Sequence, residues 1–266
     1  MKIGFIGTGN MNGALIKGYY KAAEKAGNVI QIFNRTKEKA EKLARNTEII
    51  ICNSMENLIE NSDVVVLGVE PQNYPEVMPK IAKKFTEDKI FVSIAAGITM
   101  KYIESHLGSR SRIVRVMPNT PAMVCMGASA LCRNSNVSDE SFDIAKEIFG
   151  SVGVVAEVSE DMIHAVIGVS GSSPAYTYMY IDALIELGRS NGMSYETAKT
   201  FAAQTVMGAA RLVLDSEESP AELCDNVCSP GGTTIEAVKW LTENHFKELV
   251  VAGGNKSVER SKEITK

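Results

Sequence analysis

No apolar run in this 266-residue sequence approaches the ~20 residues that cross a bilayer, so no membrane partner is expected. There is no excess of basic residues either. The formal net charge is −4, which leaves no electrostatic footprint for nucleic acid. Metal-ligand spacing is missing as well. The five cysteines, Cys52, Cys125, Cys132, Cys224 and Cys228, are odd in number. Cys224 and Cys228 could share a helical face, but no histidine lies close in sequence to complete a site. The cysteines read as free thiols of a reducing cytosol, and no metal is expected. His106, His164 and His245 are scattered and read as surface or packing residues. The sequence enters an apolar strand at once, leaving no room for a signal peptide, so a cytoplasmic location is expected. Internal repeats and low-complexity linkers are lacking. What is present, 45% hydrophobic and 23% charged residues, is ordinary for a globular enzyme, with room for one large domain or two ordinary ones.

The chain is organised around Lys2 to Gly18, KIGFIGTGNMNGALIKG. Ile3, Phe5 and Ile6 read as a short buried strand running into Gly7 and Gly9. Ala14, Leu15 and Tyr19 then recur at helical spacing. A strand, a glycine turn and a helix form a phosphate cradle. Gly7 permits the tight turn, Gly9 lets the backbone approach a pyrophosphate, and free N–H groups at the helix start face the anion. The usual third glycine position holds Asn12, with Gly13 beside it. Turns of this kind also occur without a ligand, so the motif by itself leaves both readings open.

Val29 to Phe33 reads as a second strand, ending at Asn34-Arg35-Thr36-Lys37. In a dinucleotide site an acidic residue here accepts hydrogen bonds from the ribose of NAD, whereas a cation accommodates a 2′-phosphate. No carboxylate occurs until Glu38, and Arg35 can present a forked pair of donors to phosphate. NADP(H) is therefore expected to be preferred, with NAD(H) possible. Further strand–helix alternation follows. Helical segments are expected over 36–45, 54–61 and 71–84, and strands over 48–52, 63–69, 90–94 and 113–117. Gly127–Arg133, a helix over 139–150 and Gly153–Val158 finish the region. Such units argue for a doubly wound, mostly parallel sheet of Rossmann type. Ligands bind outside the carboxyl ends of such strands, which singles out Val69-Glu70-Pro71, Ala95-Ala96-Gly97 and Met117-Pro118-Asn119-Thr120. Asn119 could hydrogen-bond a carboxamide, or could simply cap its own turn between two prolines.

From Ser159 the period becomes helical throughout. This places a dinucleotide-binding domain at 1–158 and an all-helical domain at 159–266. One helix passes through 168–174 with a kink and runs on to Asn191. Others are expected over 194–214, 220–226, 234–243 and 246–264. Two glycine-rich breaks interrupt them, Val169 to Tyr176 and Asp225 to Thr234. In the second, Ser229 offers a hydroxyl, Gly231 and Gly232 expose amides, and a helix opens near Thr233. Such an end binds a carboxylate without lysine or arginine, and Thr234 adds a hydroxyl that donates and accepts. An ordinary interhelical turn with Ser229 as its cap accounts for the same residues.

The motifs IGTGNM (6–11), NRT (34–36), SIAAGIT (93–99), RVMPNTPA (115–122), SGSSPAY (170–176) and DNVCSPGGTTIEA (225–237) together resemble the pyrroline-5-carboxylate reductase family, nearly end to end. That family reduces 1-pyrroline-5-carboxylate to L-proline with NAD(P)H, the final step of proline synthesis. The resemblance implies that Ile6, Gly7, Thr8, Gly9, Asn10 and Met11 hold the pyrophosphate, with Asn34 and Arg35 near the adenosine ribose. Val69, Pro71, Ala95, Ala96 and Gly97 should line the nicotinamide half, and Asn226 should touch the cofactor. Ser229, Gly232, Thr233 and Thr234 should receive the substrate, with Glu160 also near it. It further implies a homodimer through the helical domains, assembled in some relatives into larger rings such as decamers. Two residues depart from the family pattern: Glu70 stands where relatives usually carry lysine, and Asn12 where they carry glycine or alanine.

The C=N bond of such a substrate is readily protonated, so hydride transfer needs positioning more than a strong acid. Thr234 is expected to be the catalytic residue, hydrogen-bonding the ring nitrogen directly or through water. A 3-hydroxyacid dehydrogenase shares the two-domain plan but relies on a lysine base in the central helix. No lysine occurs from Ile163 to Arg189. A sensor that binds NADPH without turnover is the other alternative.

Overall fold

The computed structural model describes residues 1–265. By packing, the chain forms two compact units, one of Met1–Ser172 with the chain's end from Ser257, the other of Ser173–Lys256.

The first unit is a sheet between helices. Its elements are β1 (Lys2–Ile6), α1 (Asn10–Lys25), β2 (Val29–Phe33), α2 (Lys37–Ala44), β3 (Ile50–Ile51), α3 (Met55–Glu60), β4 (Val64–Leu67), α4 (Tyr74–Ala82), β5 (Ile90–Ser93), α5 (Met100–Leu107), β6 (Arg112–Met117), β7 (Gly127–Arg133), α6 (Asp139–Gly150), β8 (Gly153–Glu157) and the short α7 (Ile163–Val166). The strand order is β3-β2-β1-β4-β5-β6-β7-β8. Only β7 against β6 is antiparallel; every other pair is parallel.

Successive residues of a strand point to opposite faces, and both faces are filled. Ile3 and Phe5 of β1 with Val64 and Val66 of β4 pack among Leu15, Ile16 and Tyr19 of α1 and Phe142 of α6. Ile6, Val65, Leu67 and Phe91 pack on the other side with Leu58 of α3, Met78 of α4 and Ile103 of α5. That double burial is why β4 reads as an unbroken apolar run. Helix starts are fixed by Ser54, Thr99 and Ser138, whose side chains accept from the amides of Asn57, Tyr102 and Ser141; each such cap contributes about 1 kcal/mol.

The change of period at 158 precedes the change of packing. Residues 159–172 are helical in pattern, yet Ile163 and Ile167 pack on Ala130 and Cys132 of β7. They therefore belong to the first unit, not to the second. The expected kink takes the form of a π turn over Ile167–Gly171, an i→i+5 widening of the helix.

The second unit contains α8 (Ser173–Ser190), α9 (Tyr195–Asp215), α10 (Pro220–Asn226), α11 (Thr233–Glu243) and most of α12 (Phe246–Ile264). Ile185, Ala198 and Ala202 form its small buried cluster. Ser194 caps α9, and Ser219 with Glu222 forms a capping box at α10. No helix of the described residues is long and apolar enough to cross a membrane.

Candidate active site

The turn after β1 is built for an anion. Gly7 sits at φ +87, and a Cβ there would lie 2.7 Å from the Gly68 carbonyl oxygen, so no other residue fits without strain. Its amide donates to the Phe33 carbonyl at 2.8 Å, and the Thr8 amide to Asn34 Oδ1 at 2.9 Å. These two donors are committed to β2 and its end. The amides of Asn10 and Met11 open α1 and have no intrahelical acceptor. No side chain caps this helix at Gly9, and the space where a Gly9 side chain would stand is open. Thr8 Oγ1 is buried with no partner among the described residues. An exposed, uncapped helix end, open space above Gly9 and an orphaned hydroxyl fit a dinucleotide pyrophosphate.

Asn12, which breaks the glycine pattern, lies beneath this turn. It is 1% exposed. Its Nδ2 donates to the Gly7 carbonyl at 2.8 Å and to the Ile6 carbonyl at 3.2 Å. The carboxamide fills the space beside Gly68, where a Cβ would fall 2.2 Å from Nδ2. The glycine missing at 12 is matched by one at 68.

A cleft of about 510 Å³ opens from this turn along the ends of β1, β2 and β4, with Gly7, Gly9, Asn34, Arg35, Val69 and Glu70 in its wall. It carries mixed charge: Arg35, Lys39 and Lys80 face it together with Glu56, Glu70 and Glu76. The departure at Glu70 therefore stands in the cleft wall, exposed, with Gln72 Nε2 donating to its Oε2 at 2.5 Å. Pro71 opens the short 3₁₀ turn that follows. Lys80 Nζ lies 2.7 Å from Glu76 Oε1. Lys39, Glu76 and Lys80 were not singled out in the sequence; the i,i+4 Glu–Lys spacing was visible, but not which way it faces.

At the end of β5, Ala95 is buried and Gly97 has φ +74, with the Ile264 carbonyl oxygen 3.0 Å from where a Cβ would stand. Glu160 holds the next residues. Its Oε1 accepts from the Met100 amide, the first of α5, at 2.8 Å and from Arg115 Nη1 at 2.8 Å. Arg115 is a buried cation on β6 whose Nη2 has no partner among the described residues. That carboxylate oxygen thus serves the protein, a role the sequence did not reveal. Cys132, beside this pair, has its thiol pushed up to about 12, chiefly by burial and then by the Glu160 charge, which makes it inert. Asn119 is also committed: Nδ2 donates to the Ser170 carbonyl at 3.2 Å and Oδ1 accepts from the Ala128 amide at 2.8 Å. The side chain does not cap its own turn; it ties the backbone at Ala128 to that at Ser170.

In the second unit one loop brings together Asn226, Ser229, Gly232, Thr233 and Thr234. Asn226 Nδ2 donates to Glu218 Oε1 at 2.7 Å. Gly231 takes φ +73, and the Gly232 amide donates to the Ser229 carbonyl at 3.0 Å. Gly232 opens α11 without a side-chain cap, unlike α3, α5, α6, α9 and α10. Ser229, Thr233 and Thr234 are exposed. Bare amides and hydroxyls at one helix end suit a small carboxylate.

Residues 160–264 match the family model described as pyrroline-5-carboxylate reductase dimerisation, and residues 2–97 match that described as NADP oxidoreductase coenzyme F420-dependent. The sequence is 38% identical to the pyrroline-5-carboxylate reductase of Escherichia coli (strain K12) over 265 residues, covering 100% of this chain and 98% of that one. The chain belongs to the pyrroline-5-carboxylate reductase family. Another family member, from Methanosarcina acetivorans, is 36% identical with the same coverage. Among solved structures, the pyrroline-5-carboxylate reductase of Coxiella burnetii superposes with a TM-score of 0.92 at 37% identity, covering 99% of this chain and 98% of that one. The Plasmodium falciparum enzyme, with NADP bound, gives 0.88 at 32% identity, with 100% and 98% covered. The family fold, a mostly parallel sheet followed by a helical region with a dimerisation domain, is the one expected from the sequence.

Proposed function

We propose that the chain is a pyrroline-5-carboxylate reductase that reduces 1-pyrroline-5-carboxylate to L-proline, with NADP(H) preferred and NAD(H) possible as cofactor. The observation that carries the reading is the pairing, in one family chain, of two uncapped helix ends. One opens α1 after the glycine turn and the other opens α11. An enzyme that joins a dinucleotide to a small amino-acid-like anion needs both.

Ile6, Gly7, Thr8, Gly9, Asn10 and Met11 hold the pyrophosphate, with Asn34 and Arg35 beside the adenosine ribose. Val69, Pro71, Ala95, Ala96, Gly97 and Asn226 complete the cofactor set. When bound, the reduced nicotinamide supplies the hydride. The amide end of α11, with Ser229, Gly232 and Thr233, receives the substrate carboxylate. The Thr234 hydroxyl hydrogen-bonds the ring nitrogen, which favours the protonated, electrophilic form of the C=N bond. Glu160 belongs to the substrate set through its hold on the first amide of α5, which fixes the Ala95–Gly97 loop. No metal is called for. Positioning supplies several kcal/mol without a strong acid.

The helical domain dimerises the chain. The homodimer is the unit from which a larger assembly, a decamer among them, would be built, in the cytoplasm. Steady oxidation of NADPH in the presence of 1-pyrroline-5-carboxylate, with L-proline as product, tests the reading. Reduction of NADP+ by a 3-hydroxyacid instead, or tight NADPH binding without turnover, would overturn it.

A further inference from the structure

Sites that prefer NAD place a carboxylate at the end of β2, where it accepts hydrogen bonds from the adenosine ribose diol. This chain has Asn34 and Arg35 there, and Arg35 makes no hydrogen bond or ion pair with another described residue. A free guanidinium fork is suited to a 2′-phosphate. Yet the cleft is not a cationic one. Against Arg35, Lys39 and Lys80 it sets Glu56, Glu70 and Glu76.

Glu76 is the cleft carboxylate that a helix presents opposite the end of β2. It lies in the first turn of α4, exposed on the cleft wall, and is paired with Lys80 one turn along. The hydrogen bond from Lys80, then its charge, hold the Glu76 carboxyl below its ordinary range, and Arg35 contributes in the same direction. The group is therefore ionised at neutral pH, and it lines the same cleft as Arg35. A 2′-phosphate drawn to Arg35 meets this negative charge. A ribose diol at the same place meets an acceptor.

We propose that Glu76 is a cofactor-selectivity residue: reaching in from α4, it supplies the diol-accepting carboxylate that the end of β2 lacks and opposes the 2′-phosphate that Arg35 attracts. This rests on the cleft's being the dinucleotide site.

The test uses the full-length protein and two fragments that report the adenosine end alone, 2′,5′-ADP and 5′-AMP, titrated by calorimetry. In Glu76→Gln, 2′,5′-ADP should bind about fivefold more tightly and 5′-AMP about threefold more weakly, the loss of one exposed charge and one charge-assisted hydrogen bond. The ratio of kcat/KM for NADPH over NADH should rise about fifteenfold, carried by KM. Affinities for the two fragments that stay unchanged, or that move together in one direction, would overturn the inference while leaving the cleft as the cofactor site. Failure of the unaltered protein to bind either fragment would overturn the cofactor reading itself.

Discussion

Asn12 and Gly68 fill one space from opposite sides. A methyl group at 68 would fall 2.2 Å from Asn12 Nδ2, and Asn12 cannot withdraw without breaking its bonds to the Ile6 and Gly7 carbonyls. Gly68→Ala is expected to cost about 1–3 kcal/mol of stability. Gly68→Ala combined with Asn12→Gly should recover most of it. Denaturant unfolding of the single and double variants measures the coupling, and simple additivity would refute the shared-space account. Thr234 is exposed and caps nothing, so Thr234→Ala should leave stability unchanged. Turnover kinetics should show kcat/KM for 1-pyrroline-5-carboxylate lower by about 10–100-fold. A change confined to KM would mean the hydroxyl binds ground state and transition state alike.

Three elements meet at Glu160: the residues before α7, the first amide of α5 and Arg115 of β6. Removing the carboxylate leaves a guanidinium that is 3% exposed without a counter-charge. Glu160→Ala is therefore expected to lower stability by ~3 kcal/mol, read as a fall in Tm. Replacing both Glu160 and Arg115 by methionine should fall closer to the unaltered protein. A second link ties α7 to α12, where His164 Nδ1 lies 2.9 Å from Ser261 Oγ. Burial, and then Arg115 and Lys262, lower the His164 pKa. The unfolded chain therefore takes up this proton first as pH falls through about 6.5. The contribution of neutral His164 is whole above that value and is lost as pH falls toward the folded pKa. Between pH ~7.5 and ~5.5 the drop in Tm should be smaller for His164→Asn than for the unaltered protein. These links were not legible in the sequence, because residues 115 and 160, or 164 and 261, become neighbours only through the fold. What was legible is local: the glycine turn, the apolar run of β4, and helices 220–226 and 246–264, whose bounds match. Helix α5 was missed although Thr99 caps it and Ile103 and Leu107 keep helical spacing. The antiparallel turn into β7 could have been read from the short link after Met117, since a parallel neighbour needs a crossover of a dozen or more residues.

At the scale of the whole molecule, the helical unit leaves much apolar surface uncovered within one chain. Leu214 of α9 is 77% exposed and Leu249 of α12 67%, and Phe201 and Trp240 are exposed as well. Exposed apolar area on this scale marks an interface, in keeping with the dimerisation domain. In a two-fold interface each side chain counts twice. Leu249→Glu should therefore cost about 2 kcal/mol per copy and weaken the dimer about a thousandfold. Sedimentation velocity over a dilution series checks this, and an unchanged assembly would remove Leu249 from the contact. The space shared by positions 12 and 68 has a consequence for recombination as well. A chimera that takes its first helix from a relative and β4 from this chain would leave a hole beside Gly68. The reverse splice would drive the asparagine into any side chain that stands in place of Gly68. Crossover points between the two positions should thus be depleted among functional hybrids, making residues 12–68 a block that is inherited whole.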